Sequence, residues 1–234
     1  DSSATLTGKQ IPVGEHTIVW KATDLSGNSS TCTIYVSVKD NQNPTYTQTT
    51  GGFARYTNPG ICSYTIPGNE FDLGNLADNC GVQTPTFTVV KNGSTVMTGS
   101  NTLAGKQLPK DAAYPYVITW SLQDIHGNSV TAAPFTISVT DNQAPSFICH
   151  GNETRTIPSG ECSYSVSGTE FDPTAKSDNC DAAGSLALSY TLDGVPGGTS
   201  TSLAGILLNG GVHPVVWTLT DLSNNTTTCS FKIT

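Results

Sequence analysis

Residues 214–234 read PVVWTLTDLSNNTTTCSFKIT, and this stretch decides the fold. Val215, Trp217 and Leu219 alternate with Val216, Thr218 and Thr220, and a period of two places one row of side chains on each face of a strand. The Asp-Leu-Ser-Asn-Asn phrase then turns the chain, because Asp and Asn side chains bond their own backbone and Asn tolerates the left-handed conformation. Beyond the turn, Cys229, Phe231 and Ile233 alternate again. The reading is a β-hairpin with one apolar face and one inward Trp.

That hairpin occurs three times. Trp20 opens WKATDLSGN, Trp120 opens WSLQDIHGN and Trp217 opens WTLTDLSNN. The strands that follow carry Cys32, Ile34, Val36 and Val38 in the first copy and Phe135, Ile137 and Val139 in the second. Upstream, GICSYTIPGNEF (60–71) with DNC (78–80) recurs as GECSYSVSGTEF (160–171) with DNC (178–180). The phrases DNQNPTY (40–46) and DNQAPSF (141–147) stand between copies. They divide the chain into the closing part of a first unit (1–42), a second unit (43–142) and a third unit (143–234). Several short alternating strands per unit, frequent Gly and Pro, and no apolar helical period imply an all-β fold of tandem immunoglobulin-like β-sandwich modules.

Seven cysteines are placed by the repeat. The third unit holds Cys149, Cys162, Cys180 and Cys229, and the second holds only Cys62 and Cys80, the counterparts of Cys162 and Cys180. Gln48 stands for Cys149, and Ala132 or Ala133 for Cys229. Disulfide partners tend to be absent together, since an orphan thiol is a liability in an oxidising compartment. Joint absence therefore selects Cys149–Cys229, leaving Cys62–Cys80 and Cys162–Cys180 as the expected bridges within units. Cys32 matches Cys229, so its expected partner lies upstream of Asp1, unpaired here by truncation, and the chain reads as a piece of a longer protein. Lacking the long bridge, the second unit is expected to be the weaker.

Charged residues make up 12% of the chain, and 18 acidic against 10 basic residues give a net charge of −8. That balance argues against nucleic acid and anionic lipid as partners. No run of apolar residues is long enough for a membrane-spanning helix, and no signal peptide opens the chain, as expected of a piece from inside a larger protein. Paired cysteines place the protein outside the cell or on its surface.

Candidate chemistry is sparse. His16 and His213 each precede a repeat Trp by the same interval, and Tyr116 fills that place in the second unit, which fits a packing or hydrogen-bonding position. His126 replaces Ser26 and Ser223 in the turn, and His150 stands alone. No second His lies at zinc-ligand spacing, and no nucleophile elbow supports catalysis. The reading is therefore not an enzyme and no cofactor, with one open alternative. Asp40, Asn41, Asp141 and Asn142 lie in the linkers, and the turn aspartates Asp124 and Asp221 are expected close to them, so hard oxygen ligands could hold Ca²⁺ at each junction. The simpler and favoured account is that each Asp caps a turn through its own backbone. Asn28, Asn92, Asn152, Asn224 and Asn225 open N-x-S/T sequons, which matter only where glycosylation machinery exists.

Four linked phrases carry a resemblance. Pro145-x-Phe147-x-Cys149, Gly160-x-Cys162-x-Tyr164, Ser177 to Cys180 and the Trp217-to-Cys229 ending resemble the hyalin repeat (HYR) family, over essentially the whole chain. The second unit departs by lacking one cysteine pair. The resemblance implies immunoglobulin-like modules in large extracellular proteins, including surface adhesins and type IX-secreted or gliding-type adhesins of Bacteroidota, with no catalytic residues. The function expected is a non-catalytic stalk or spacer of a cell-surface adhesin or filament. A direct glycan- or protein-binding module, or accessory domains of a secreted hydrolase, are the alternatives. The partners expected are neighbouring repeats, a glycan or protein ligand, or lateral self-assembly.

Overall fold

The computed structural model describes residues 4–234. It is an all-β, immunoglobulin-like sandwich architecture with two hydrophobic cores, one built by residues 46–139 and one by residues 147–233. The first unit contributes a single antiparallel hairpin, Gly14–Thr23 with Ser29–Val38.

In the second unit the main sheet runs in the order Gly52–Tyr56, Phe135–Thr140, Asp111–Gln123, Thr86–Lys91, Ser94–Ser100, with Ser129–Thr131 also pairing to the long central strand. Two short pairs face it, Thr45–Thr47 with Gly74–Ala77 and Ser63–Thr65 with Gln107–Pro109. The third unit repeats this plan. Val195–Pro196, Ala187–Leu192, His213–Thr220 and Thr226–Ile233 form the main sheet. Ser146–Ile148 with Thr174–Ser177, and Tyr164–Ser165 with Leu207–Leu208, form the short pairs. Gly52–Tyr56 runs parallel to the last strand of its unit, and Glu153 bridges Ile233 in the same sense.

Alternation along the strands decides what is buried. Val215, Trp217 and Leu219 are fully enclosed, as are Ile118, Trp120 and Leu122 one unit earlier. Each Trp packs on an aromatic from the adjoining strand, Trp120 on Phe87 with ring centroids 5.1 Å apart and Trp217 on Tyr190 at 5.0 Å. Glycine is required beside those aromatics. A Cβ on Gly99 would lie 2.5 Å from the Phe87 ring, and one on Gly197 would lie 2.3 Å from the Tyr190 ring. Two-residue turns at Asn92-Gly93 and Asp193-Gly194, all with positive φ, bring the flanking strands back with the twist a hairpin needs.

The histidine position also repeats. His16 Nε2 bonds the Pro12 carbonyl at 2.7 Å, His213 Nε2 bonds the Asn209 carbonyl at 2.8 Å, and Tyr116 donates its hydroxyl to the Pro109 carbonyl at 2.6 Å. His213 Nδ1 also meets Asp193 Oδ2 at 2.8 Å. The Asn209 carbonyl, followed by Asp193, holds the His213 pKa above its ordinary 6.5.

Cys149 and Cys229 are joined, with Cα atoms 6.3 Å apart. Trp217 lies opposite Cys229 in the sheet, whereas Ala132 donates its amide to the Trp120 carbonyl, so Ala132 is the counterpart of Cys229. Where the third unit has its bridge, the second has a hydrogen bond from Gln48 Nε2 to the Ala133 carbonyl, 2.8 Å long.

The other two expected bridges, Cys62–Cys80 and Cys162–Cys180, are replaced. Cys62 of the second unit bonds Cys180 of the third, with Cα atoms 4.6 Å apart, and Cys32, Cys80 and Cys162 carry free thiols. The reason is the path of the chain within a unit. After Cys62 the chain crosses the sandwich, and Cys80 emerges at the opposite end, beside Asp40 of the preceding linker. The two cysteines of one unit thus point to different neighbours.

Non-reducing peptide mapping after alkylation is expected to label Cys32, Cys80 and Cys162 and to recover a Cys62–Cys180 cross-linked peptide. A Cys62–Cys80 peptide would restore the arrangement within units. Separately, Gly197→Ala is expected to lower the stability of the third unit by about 1–3 kcal/mol through overpacking against Tyr190, measured by urea unfolding. A methyl group at exposed Gly184, which meets nothing within 4 Å, is expected to leave it unchanged.

Candidate functional site

The residues that draw attention lie where one unit meets the next. Each repeat turn is an Asp whose carboxylate is filled by the Asn four positions on. Asp221 Oδ1 accepts from the Ser223 and Asn225 amides at 2.8 and 2.7 Å, and Asp221 Oδ2 accepts from Asn225 Nδ2 at 2.7 Å. Asp124 is held the same way by His126 and Asn128, and Asp24 by Ser26 and Asn28. Burial pushes the Asp124 carboxyl pKa up, but the Asn128 side chain and the turn amides outweigh it and hold the pKa below its ordinary 3.8. Capping of the turn by its own backbone is therefore the arrangement present at these aspartates.

The same Asn reaches across to the linker. Asn225 Nδ2 lies 3.3 Å from the Asp141 carbonyl and Asn128 Nδ2 lies 3.4 Å from the Asp40 carbonyl. Turn and linker are thereby clasped, which brings Asp221 to Asp141 and Asp124 to Asp40. A third aspartate that the sequence reading passed over joins each group. Carboxylate oxygens of Asp40, Asp78 and Asp124 lie within 4.8 Å of one another, and so do those of Asp141, Asp178 and Asp221. Asp78 and Asp178 belong to the Asp-Asn-Cys loops, where their Oδ2 atoms accept the Cys80 and Cys180 amides at 2.8 Å. Asn41 and Asn142, also proposed as ligands, are exposed and stand outside both groups.

These carboxylates are deeply placed. The Asp141 side chain is 0% exposed and the Asp40 side chain 2%. Asp40 Oδ2, Asp78 Oδ1, Asp141 Oδ2 and Asp178 Oδ1 are all buried without a hydrogen-bond partner. A buried ionised oxygen left unpaired is costly, and three carboxylates at this spacing repel one another. A histidine sits near the first group and a lysine near the second without filling them. His126 Nδ1 is 3.5 Å from Asp40 Oδ2, and Lys110 Nζ is 4.0 Å from Asp141 Oδ2 and 3.4 Å from Asp181 Oδ1. An all-oxygen donor set with orphaned buried carboxylate oxygens fits a hard divalent cation. At the first junction the Cys80 thiol forms a second group with Asp40 and His126. Burial, followed by the neighbouring Asp40, pushes its pKa up.

The second junction shows what else holds two units together. Gln143 of the linker accepts the Gly60 amide through Oε1 at 2.7 Å, and its Nε2 donates to Thr57 Oγ1 and the Asn58 carbonyl. Thr57 Oγ1 donates to Asp141 Oδ1 at 3.2 Å. Asn179 Nδ2 reaches the Ile61 carbonyl at 3.3 Å, beside the Cys62–Cys180 bond.

No family model matches this chain, and no curated protein matches it. Solved structures similar to it include the fibronectin(III)-like modules of Clostridium thermocellum CbhA, at 14% identity and TM-score 0.28, covering 81% of this chain and 92% of that one. Drosophila N-cadherin EC1-3 is similar at 14% identity and TM-score 0.32, with 96% and 90% covered. A 1.5-MDa bacterial ice-binding adhesin is similar at 15% identity and TM-score 0.31, with 92% and 72% covered. At these scores the likenesses carry no argument about function.

Asn225→Ala removes the side chain that satisfies Asp221 and touches the Asp141 carbonyl. It is expected to cost about 1–3 kcal/mol, the range for leaving a buried acceptor unsatisfied, measured by urea unfolding. Asn209→Ala, which keeps the backbone carbonyl that His213 uses, is the comparison and is expected to cost less.

Proposed function

We propose that this chain is an extracellular structural and adhesive segment: a non-catalytic stalk of HYR-like modules, bounded at residues 1–42, 43–142 and 143–234, that fixes the direction of one module relative to the next. The observation that carries this reading is the Cys62–Cys180 bond. A covalent link between separate cores adds nothing to a local pocket, but it removes a hinge. Disulfides persist in oxidising compartments, which supports a location outside the cell. The short linkers support the same mechanical reading, because Pro44 and Pro145 are buried in the junctions and fix the local φ. The natural partners of each module are its neighbours along the chain.

In the same reading, each junction holds a divalent cation, most simply Ca²⁺. Asp40, Asp78 and Asp124 would hold it at one junction and Asp141, Asp178 and Asp221 at the other. When bound, it supplies positive charge that neutralises carboxylates drawn from three separate loops. The protein's own part is to place those loops. Asn128 and Asn225 anchor the turns, and the Cys62–Cys180 bond holds the Asp178 loop against the second unit. With few carboxylates per site, the affinity expected is on the order of 10⁻⁴–10⁻³ M, as for extracellular modules.

Small-angle scattering and thermal unfolding with millimolar calcium or chelator test the reading. Calcium is expected to raise the unfolding temperature and narrow the range of inter-module angles, and Asp78→Asn with Asp178→Asn is expected to abolish both effects. If chelation changes neither, the aspartates are turn caps alone. The stalk reading then rests on the disulfide, and reduction is expected to broaden the scattering profile on its own. A profile unchanged by both chelation and reduction would overturn the stalk.

A further inference from the structure

The outer end of the third unit is built as the second unit's docking end is built. Arg55 Nη2 pairs with Glu70 Oε2 at 3.0 Å, Tyr64 donates to Glu70 Oε1 at 2.7 Å, and the Arg55 guanidinium lies 5.3 Å from the Phe71 ring centre. One unit later Arg155 Nε pairs with Glu170 Oε2 at 3.3 Å, Tyr164 donates to Glu170 Oε1 at 2.7 Å, and Arg155 lies 4.8 Å from the Phe171 ring centre. The turn carrying the cysteine is closed alike in both, by Ile61 N to the Asn58 carbonyl and by Glu161 N to the Pro158 carbonyl, each 3.1 Å. Gly60 and Gly160 both have positive φ.

In the second unit this end is covered by the Asp141–Pro145 linker, and Cys62 is bonded to Cys180. In the third unit a groove of about 380 Å³ opens there, lined by Ile157, Tyr164, His213 and Thr234 among others, and Cys162 is exposed with a free thiol.

We propose that this end of the third unit is a docking face for a further module of the same repeat, joined in line and locked by a disulfide from Cys162 to the cysteine of that module's Asp-Asn-Cys loop. The occupant is identified by continuity with the junction one unit earlier. It presents an Asp-Asn-Gln linker to the Ile157–Gly160 turn and an Asp-Asn-Cys loop to Cys162. Cys80 shows the complementary half, since it occupies in the second unit the place Cys180 occupies in the third, with the same amide-to-aspartate bond. Free Cys80 and free Cys162 are then the two open ends of one series of crossing bridges. Four side chains of the turn differ from the filled junction. Ile157 replaces Thr57, so the hydroxyl bond to the linker Asp is lost, and Pro158, Ser159 and Glu161 replace Asn58, Pro59 and Ile61.

Bond formation needs an oxidant, and a low-molecular-weight disulfide such as oxidised glutathione serves. The Cys162 thiolate attacks one glutathione sulfur and expels glutathione thiolate. The incoming module's cysteine thiolate then attacks Cys162 Sγ and expels the second glutathione. Two cysteine thiols are oxidised, one disulfide is reduced, and two protons pass to the departing glutathione thiolates.

The test appends a copy of residues 40–142 directly after Thr234 of the full chain, so that the copied Asp40 follows Thr234 as Asp141 follows Thr140. A second extended chain appends residues 141–234 instead. Both are oxidised with a glutathione couple in chelator, so the outcome does not depend on any cation. Peptide mapping is expected to find Cys162 bonded to the copied Cys80 in the first chain and to the copied Cys180 in the second. Cys162→Ser is expected to leave those copied cysteines open to alkylation. Either chain showing the bond supports the proposal. If Cys162 stays alkylatable in both, with the copied Cys80 free or bonded to the copied Cys62, the proposal is overturned.

Discussion

Everything at the second junction depends on one constraint: the Asp-Asn-Cys loop of the third unit must lie against the Gly-Ile-Cys turn of the second. The Cys62–Cys180 bond enforces this, and non-covalent contacts surround it. Asn179 reaches Ile61, Gln143 straps the turn from Thr57 to Gly60, and Lys110 approaches Asp181 and Asp141. The bridge spans 118 residues, and loop-closure entropy across that separation is worth about 5 kcal/mol in the unfolded chain. Its larger consequence is in the folded state. Two cores that would otherwise share only a short linker lose the freedom to swing.

The acidic groups follow from that placement. Clasping turn to linker brings two aspartates together, and fixing the Asp-Asn-Cys loop brings the third. Each has local work: Asp221 and Asp124 cap their turns, while Asp178 and Asp78 cap the cysteine loops. At Asp78 and Asp178 that work uses one carboxylate oxygen, and the other is buried without a partner, as is one oxygen each of Asp40 and Asp141. The favoured sequence account, turn capping, and the alternative, a cation site, are thus not exclusive. Capping supplies the rigidity that holds like charges close, and a counter-charge there would offset their repulsion.

The sandwich and the strand phases were legible because burial imposes a period of two that any reader of 214–234 can see. The inward row Val215, Trp217 and Leu219 is the enclosed row. The clustering of turn and linker aspartates was legible too, from the repeat turn being set beside the linker. Asp78 and Asp178 were missed although both stand in a repeated Asp-Asn-Cys phrase. In sequence that phrase points to the repeat, its family likeness and its cysteine, and nothing in it singles out the carboxylate. The bridge partners were missed for a deeper reason. Joint absence identifies partners only within a unit, and in a repeat a shift of the pairing by one whole unit leaves the cysteine pattern unchanged. Cys62 with Cys80 and Cys62 with Cys180 therefore look identical from sequence. Only the chain's path across the sandwich, which places Cys62 and Cys80 at opposite ends, separates them.

The same path bears on how the two complete units hold themselves together. The third has the Cys149–Cys229 bridge across 80 residues, worth about 4.5 kcal/mol by loop entropy, and it buries eleven apolar residues. The second has Gln48 and Ala132 in those places, yet its core gathers sixteen. Phe53, Phe71 and Phe135 pack against one another there, and Trp120 Nε1 donates to the Phe71 carbonyl at 2.9 Å, whereas Trp217 Nε1 is buried without a partner. Burying one further aliphatic or aromatic side chain contributes about 1.5–3 kcal/mol, so a few of the additional core residues match the bridge in size. The expectation that the second unit is the weaker one considers the covalent term alone. Its larger core and satisfied Trp oppose that term with a comparable magnitude. Within one repeat, then, the position opposite the Trp can carry a cysteine bridge over a small core or an alanine beside a large one.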